Sequence, residues 1–184
     1  MKEIGQQISY DKPSKDELVV EIKPVLGGQK MNLLLLWGAA WTVCGLIILI
    51  SLFTYGFKKE EYLMVGIFLI FWTYFEVKIL HAIRWNKWGL ERVEIKNGEF
   101  LYHQTIKGRG FPKVDEISKM NSFRFAVDSQ KGLWSDINNS SWMVGGEVIE
   151  YTCDGAVKRI GMKLPQKDAE KLIVLLNKTA GLNA

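Results

Sequence analysis

Few of the 184 residues carry reactive groups at spacings that would let them act together. Glu76, Lys78, His81 and Arg84 follow one another along an otherwise apolar stretch. An acid there could pair with a partner subunit or serve a proton path, while Lys78 and Arg84 could reach toward lipid headgroups. Lys107-Gly108-Arg109-Gly110 is basic and glycine-rich. It could touch an anionic headgroup or an acidic partner. A phosphate cradle would need a helix N-terminus directly behind it. Phe111-Pro112 and a strand pattern follow instead, so a strand-connecting loop is the plainer expectation. Lys158-Arg159 reads as a pair of solvated strand charges. The thiols Cys44 and Cys153 and the imidazoles His81 and His103 make no metal-ligand spacing. Cys44 lies in an apolar block, so both thiols are expected unpaired in a reducing compartment. Asp128, Asp136 and Asp154 fall in separate turn-like stretches and form no hydrolytic pair. The chain has no nucleophile elbow, P-loop, dinucleotide glycine motif or zincin motif. No catalytic residue, metal ligand, cofactor or small-molecule substrate is expected.

The elements that carry these residues begin with two apolar blocks. Residues 31–57 contain no charge, and neither do residues 62–75. Residues 33–53 would make a helix of about 31 Å, enough to cross a hydrocarbon core. The block is too long and starts too late for a signal peptide. Residues 62–83 make a second span, with Lys78 able to snorkel. If that helix starts at Tyr62, Glu76 is inside the hydrocarbon; if it starts near Lys58, Glu76 approaches the interface. Only residues 54–61 join the spans, which requires an antiparallel hairpin. Lys23 and Lys30 precede it, and Lys78, Arg84, Lys87 and Arg92 follow it, against only Lys58 and Lys59 at the turn. This bias predicts both tails on the cytoplasmic side. Trp85 and Trp88 are expected as interfacial anchors.

Three regions follow: residues 1–30 as an N-terminal cytoplasmic tail, 31–88 as the transmembrane hairpin and 89–184 as a cytoplasmic domain. The tail is polar to residue 15, then alternates over 16–23 in a way that could add a strand to the domain or lie along the membrane. In the domain, Asn97-Gly98 and Asp154-Gly155 each sit between alternating runs and predict hairpins. Residues 114–117 lead to a third strand continued by 122–127, and residues 128–141 read as a long polar loop. Pro165 opens a helix over 166–179, with a stripe of Ala169, Leu172, Ile173, Leu175 and Leu176, and Gly181 closes it. The expectation is an α+β domain, a small β-barrel or sandwich capped by a C-terminal helix. Residues 84–184, the end of the second span together with the domain, carry the chain's net charge of +4. That mild excess suits an anionic membrane surface and falls short of a nucleic-acid binder.

The run R-I-G-x-x-L-P-x-x-x-A-x-x-L over residues 159–172 resembles the last hairpin and capping helix of bacterial pleckstrin-homology-like domains. The V-x-x-I stretch at Val114 and Ile117 resembles a strand entry of that family. The plan of short β-prone tail, two helices and this domain is similar to the photosystem I assembly factor of plastids and cyanobacteria. The resemblance implies a PH-like fold behind a membrane hairpin, with loops between early strands as contact sites.

Together these features predict a non-catalytic integral membrane protein of the bacterial inner membrane or its equivalent. It would be an accessory or scaffold subunit whose PH-like domain docks other subunits of a membrane complex. The alternative is a membrane-surface protein recognising anionic lipid headgroups. Lys78, Arg84, Lys87, Lys107 and Arg109 are the candidate lipid or partner contacts, and Glu76 is the candidate intramembrane polar contact. A transport or enzymatic role for Glu76 or His81 would require oligomerisation, since two helices enclose no pathway.

Overall fold

The computed structural model describes residues 1–126 and 144–182. Val127, the predicted loop 128–141 and, with it, Asp128 and Asp136 lie outside the described residues. Helices α1 (Gly28–Thr54) and α2 (Lys59–Trp88) form an antiparallel hairpin, and both are long and apolar enough to cross a membrane. Their shared seam is built from small and aromatic residues. Gly38 and Gly45 of α1 are buried, as are Ile79, Ala82 and Trp85 of α2. Where lipid tails are as apolar as leucine, close backbone approach of this kind replaces the hydrophobic drive. The Trp72 indole occupies the space a Cβ on Gly45 would need. Its Nε1 donates to the Trp41 carbonyl at 2.9 Å, and Trp41 Nε1 points back at the Trp72 carbonyl at 3.5 Å. Large apolar residues cover the outer surface, with Phe53 85% and Ile70 75% exposed. Because α2 starts at Lys59, Glu76 lies about 26 Å along it.

The N-terminal segment does not trail free. It supplies β1 (Lys2–Ile4), β2 (Ile8–Asp11) and β3 (Leu18–Ile22), so the single strand expected there is three. They continue antiparallel into β4 (Gly89–Lys96), β5 (Glu99–Ile106) and β6 (Pro112–Glu116) as one six-stranded sheet in sequence order. β3 pairs with β4 from Leu18–Ile95 to Ile22–Glu91, across the whole helical hairpin in sequence. Asn97 (φ 54°) and Gly98 (φ 79°) form the β4–β5 turn, two consecutive left-handed residues, as a type I′ hairpin requires.

The chain then leaves this sheet. Residues 114–117 were expected to run on into 122–127 as one strand. Instead a 3-10 turn (Ile117–Lys119) intervenes, and β7 (Arg124–Phe125) joins β8 (Glu147–Cys153) and β9 (Ala156–Met162) in a separate three-stranded sheet. Both sheets are open, which corrects the barrel form of the barrel-or-sandwich expectation. β1 and β6 end the first sheet and β7 and β9 the second, and among the described residues isolated Ile106–Arg109 and Met120–Cys153 bridges add to them. Helix α3 (Gln166–Ala180) covers the core they share and ends at Gly181 with φ 67°. Leu172 and Leu176 of α3, Val20, Val93 and Phe100 of the first sheet and Ile149 and Ile160 of the second are fully buried in one cluster. Each such side chain contributes about 1.5–3 kcal/mol by leaving water.

Candidate functional site

Three buried acids sit inside the domain, and each is engaged in holding its two sheets and their strands together. Glu91 of β4 is 1% exposed. Its carboxylate accepts from the backbone amides of Gly161 (3.0 Å) and Met162 (2.9 Å) on β9 and from the Tyr102 hydroxyl (2.8 Å). Burial pushes its pKa up; the two amides and the hydroxyl pull the other way. Tyr102 is pushed up by burial and by the neighbouring Glu91 charge. Asp115 of β6 accepts from the Tyr151 hydroxyl at 2.9 Å and binds the Lys158 ammonium, joining β6 to β8 and β9. Glu150 holds Arg124 at 3.0 Å and Arg159 at 3.6 Å. Lys158 and Arg159, read from sequence as solvated, are therefore bonded across strands. These groups link strands and layers, and Arg124 also lines an open groove with Met120, Asn121 and Thr152.

The second arrangement lies where α2 enters the sheet. α2 ends at Trp88 and turns directly into β4 at Gly89, whose missing Cβ leaves room for the Trp85 ring and carbonyl. Trp85, expected as a surface anchor, is instead buried at 6% exposure, wedged between helix and sheets. Trp88 is the exposed one. Lys107 Nζ lies 3.9 Å and Lys87 Nζ 4.9 Å from its ring centroid, two cations on one indole. The Lys107 amide also donates to the Trp88 carbonyl at 3.3 Å.

The β5–β6 turn therefore folds back onto the end of α2. Lys107 (φ 53°) and Gly108 (φ 74°) make it a tight reversal, with Ile106 and Arg109 exchanging backbone bonds of 3.1 Å. It is the strand-connecting loop the sequence suggested, followed by β6 and not by a helix. The reversal brings Arg109 to the groove that Arg84 lines. Both line an open groove of about 380 Å³ that also takes in His81, Trp85 and Gln104. On the other side of α2, Lys23 and Lys87 line a second groove of about 320 Å³. Phe111, at the end of the turn, is 93% exposed.

Four of the five predicted basic contacts thus come together around α2. Lys78 does not: its ammonium lies 5.6 Å from the Tyr74 ring, farther down the helix. Glu76 stands apart as well. Its Oε1 is 2.8 Å from the Thr42 hydroxyl of α1, within the hairpin seam. Sequence reasoning missed Phe111 and Gln104 as members of the rim, and had Lys23 only as a flanking charge. Their closeness depends on the β5–β6 reversal, which no local pattern places beside α2. No group of His, Cys, Asp and Glu among the described residues could hold a metal ion. No protein-family model, curated protein or solved structure matches the chain.

Proposed function

We propose that the protein is a non-catalytic accessory or scaffold subunit of a membrane complex. Its helical hairpin anchors it, and its domain, PH-like in plan, docks neighbouring subunits on the cytoplasmic side. The observation that carries this reading is how the domain is mounted. The chain enters the hairpin from β3 and returns from it in β4, and these strands are direct antiparallel neighbours. With two attachments at one end of a single sheet, the domain cannot swivel on its anchor. A rigid mount suits a part that must present one surface to a fixed neighbour. The engagement of Glu91, Asp115 and Glu150 in bonds between strands and sheets also favours a structural role for them over a catalytic one. The order of last hairpin, Pro165 and covering helix supports the PH-like plan. The excess of Lys and Arg at the domain end of the helices supports the cytoplasmic orientation.

The test is extraction from native membranes in a mild detergent with a tag on the C-terminus. A defined partner at fixed stoichiometry is expected to co-migrate. A protein that runs only as a free monomer would overturn the reading.

A further inference from the structure

We propose that the basic rim around α2 is a binding site for acidic phospholipid headgroups. The lipid phosphate would lie between Arg84 and Arg109, and Phe111 would enter the interfacial layer. This goes beyond the scaffold reading, and it holds whether or not a protein partner exists.

Height along the helix is the first argument. Large exposed apolar residues line α2 as far as Val77 and Leu80, and the next one is Trp88. From Tyr62 to Leu80 is about 27 Å of helix, close to one hydrocarbon thickness. His81 and Arg84 follow within about 6 Å, which is headgroup depth. Arg109 lines the same groove as His81 and Arg84.

The second argument is charge pairing. On the body of the domain, Arg92, Lys96, Lys119, Arg124, Lys158 and Arg159 each lie within 4.0 Å of a carboxylate, whereas Lys113, Lys167, Lys171 and Lys178 do not among the described residues, so what sets the rim cations apart is that they are unpaired with a carboxylate and also gathered at the end of α2. Among the described residues, no such carboxylate lies against Arg84, Lys87, Lys107 or Arg109. Uncompensated cations collected at headgroup depth attract acidic lipid, each by about 1 kcal/mol near the surface. The guanidinium pair suits a phosphodiester because each offers a planar fork of donors.

The third argument is Phe111. A phenyl ring 93% exposed between Gly110 and Pro112 is costly in water and at home among headgroups and acyl ends. Trp88, clamped by two lysines about 6 Å farther along α2 than Arg84, adds an aromatic of the kind enriched at membrane interfaces.

The experiment uses the purified full chain, delipidated in a neutral detergent and titrated with short-chain phosphatidylglycerol, with phosphatidylcholine and inorganic phosphate as separate arms. Bound lipid is counted by native mass spectrometry. Phosphatidylglycerol is expected to bind and phosphatidylcholine to bind far less. Removing both guanidinium charges with Arg84→Gln/Arg109→Gln should weaken phosphatidylglycerol about 30-fold. A charge-matched control, Lys167→Gln/Lys171→Gln on the exposed face of α3, should leave it unchanged. All four positions are exposed, so folding is not at stake. Equal binding of the two lipids, or equal loss in both double variants, would overturn the proposal. So would inorganic phosphate displacing the lipid at comparable concentration, which would make the site a free-phosphate site. Backbone hydrogen exchange across residues 104–111 gives an independent readout. It should slow in nanodiscs containing phosphatidylglycerol relative to phosphatidylcholine alone, and no difference there would count against the proposal. None of these outcomes depends on recovering a partner complex, so this site and the scaffold reading fail separately.

Discussion

The Thr42 hydroxyl stands 2.8 Å from Glu76 Oε1 on the facing helix and 2.8 Å from the Gly38 carbonyl of its own helix. A hydroxyl has one proton to give, and both neighbours are acceptors when Glu76 is ionised. Glu76 Oε2 is buried with no partner among the described residues. With Glu76 ionised, the seam is one donor short. Glu76→Gln supplies it: the amide donates to Thr42 Oγ1, and the hydroxyl then serves Gly38 alone. The expected outcome is a protein as stable as the parent, or more so by about 1 kcal/mol. Thermal unfolding of both in the same detergent checks this. A Gln variant clearly less stable than the parent, or one that lost a partner bound by the parent, would instead mark the charge at Glu76 as functional.

Tight contact at Gly45 gives a second prediction. A side chain there must displace the Trp72 indole, which is tied to Trp41 by a 2.9 Å bond. Gly45→Leu should cost about 1–3 kcal/mol through overpacking. Gly66, with nothing near the position of a Cβ, is the matched control on α2, and Gly66→Ala should be neutral or slightly stabilising. Equal melting temperatures for the two variants would show that the seam does not pack through Gly45.

Asn177 gives the third. It is 4% exposed, and its side chain accepts from the Phe123 amide at 2.8 Å and donates to the Phe123 carbonyl at 3.0 Å. It thereby satisfies both backbone groups of the residue that leads into β7. Asn177→Ala leaves them buried and unpaired, a loss of about 2 kcal/mol or more. Asn177→Leu keeps the branched shape and removes both the acceptor and the donor, so it should not rescue. Rescue by Leu, measured as melting temperature against Ala, would mean that shape and not hydrogen bonding matters here.

What the sequence revealed and what it concealed divide along physical lines. Asn97-Gly98 and Asp154-Gly155 are local: two residues with left-handed backbone set each reversal, whatever lies elsewhere. The α3 stripe and the two spans are local in the same sense. β1 and β2 were hidden because they are three and four residues long, with only Ile4 and Ile8 buried, and they depend on β3. The pairing of β3 with β4 joins segments on either side of the membrane hairpin, and no neighbour in sequence reports it. Glu91 and Asn177 did leave a signal. Glu91 is in phase with Val93 and Ile95, and Asn177 lies four residues beyond Ile173 on the helical stripe, so the periodicity already placed both polar groups inward. Asp115 left none. Hydrophobicity would bury Val114 and expose Asp115, and the structure does the reverse because Tyr151 and Lys158 of the second sheet wait for the carboxylate. The rim had its residues legible one by one, while their assembly waited on the fold.

Glu91 carries the last prediction, a pH dependence. Desolvation raises its carboxyl above the ordinary 4.5, and the Glu147 charge adds to the rise. The unfolded chain loses this proton near the ordinary value, while the folded protein keeps it to higher pH. Between the two, the folded state holds more protons, so rising pH removes stability. Glu91's contribution is therefore fullest below about pH 4.5 and declines as pH climbs through the folded pKa. Glu91→Gln deletes the titration. It also costs a hydrogen bond at every pH, because its amide nitrogen cannot accept from both Gly161 and Met162 as two carboxylate oxygens do. The offset between parent and variant thus favours the parent, while the slope runs against it. The parent's advantage should shrink with rising pH by no more than about 1.4 kcal/mol per unit, the limit for one proton. Thermal unfolding of both proteins from pH 4.5 upward reads the slope directly. An advantage that stays flat, or grows with pH, would show that the two amides and the Tyr102 hydroxyl outweigh burial and hold the carboxylate at or below its ordinary pKa.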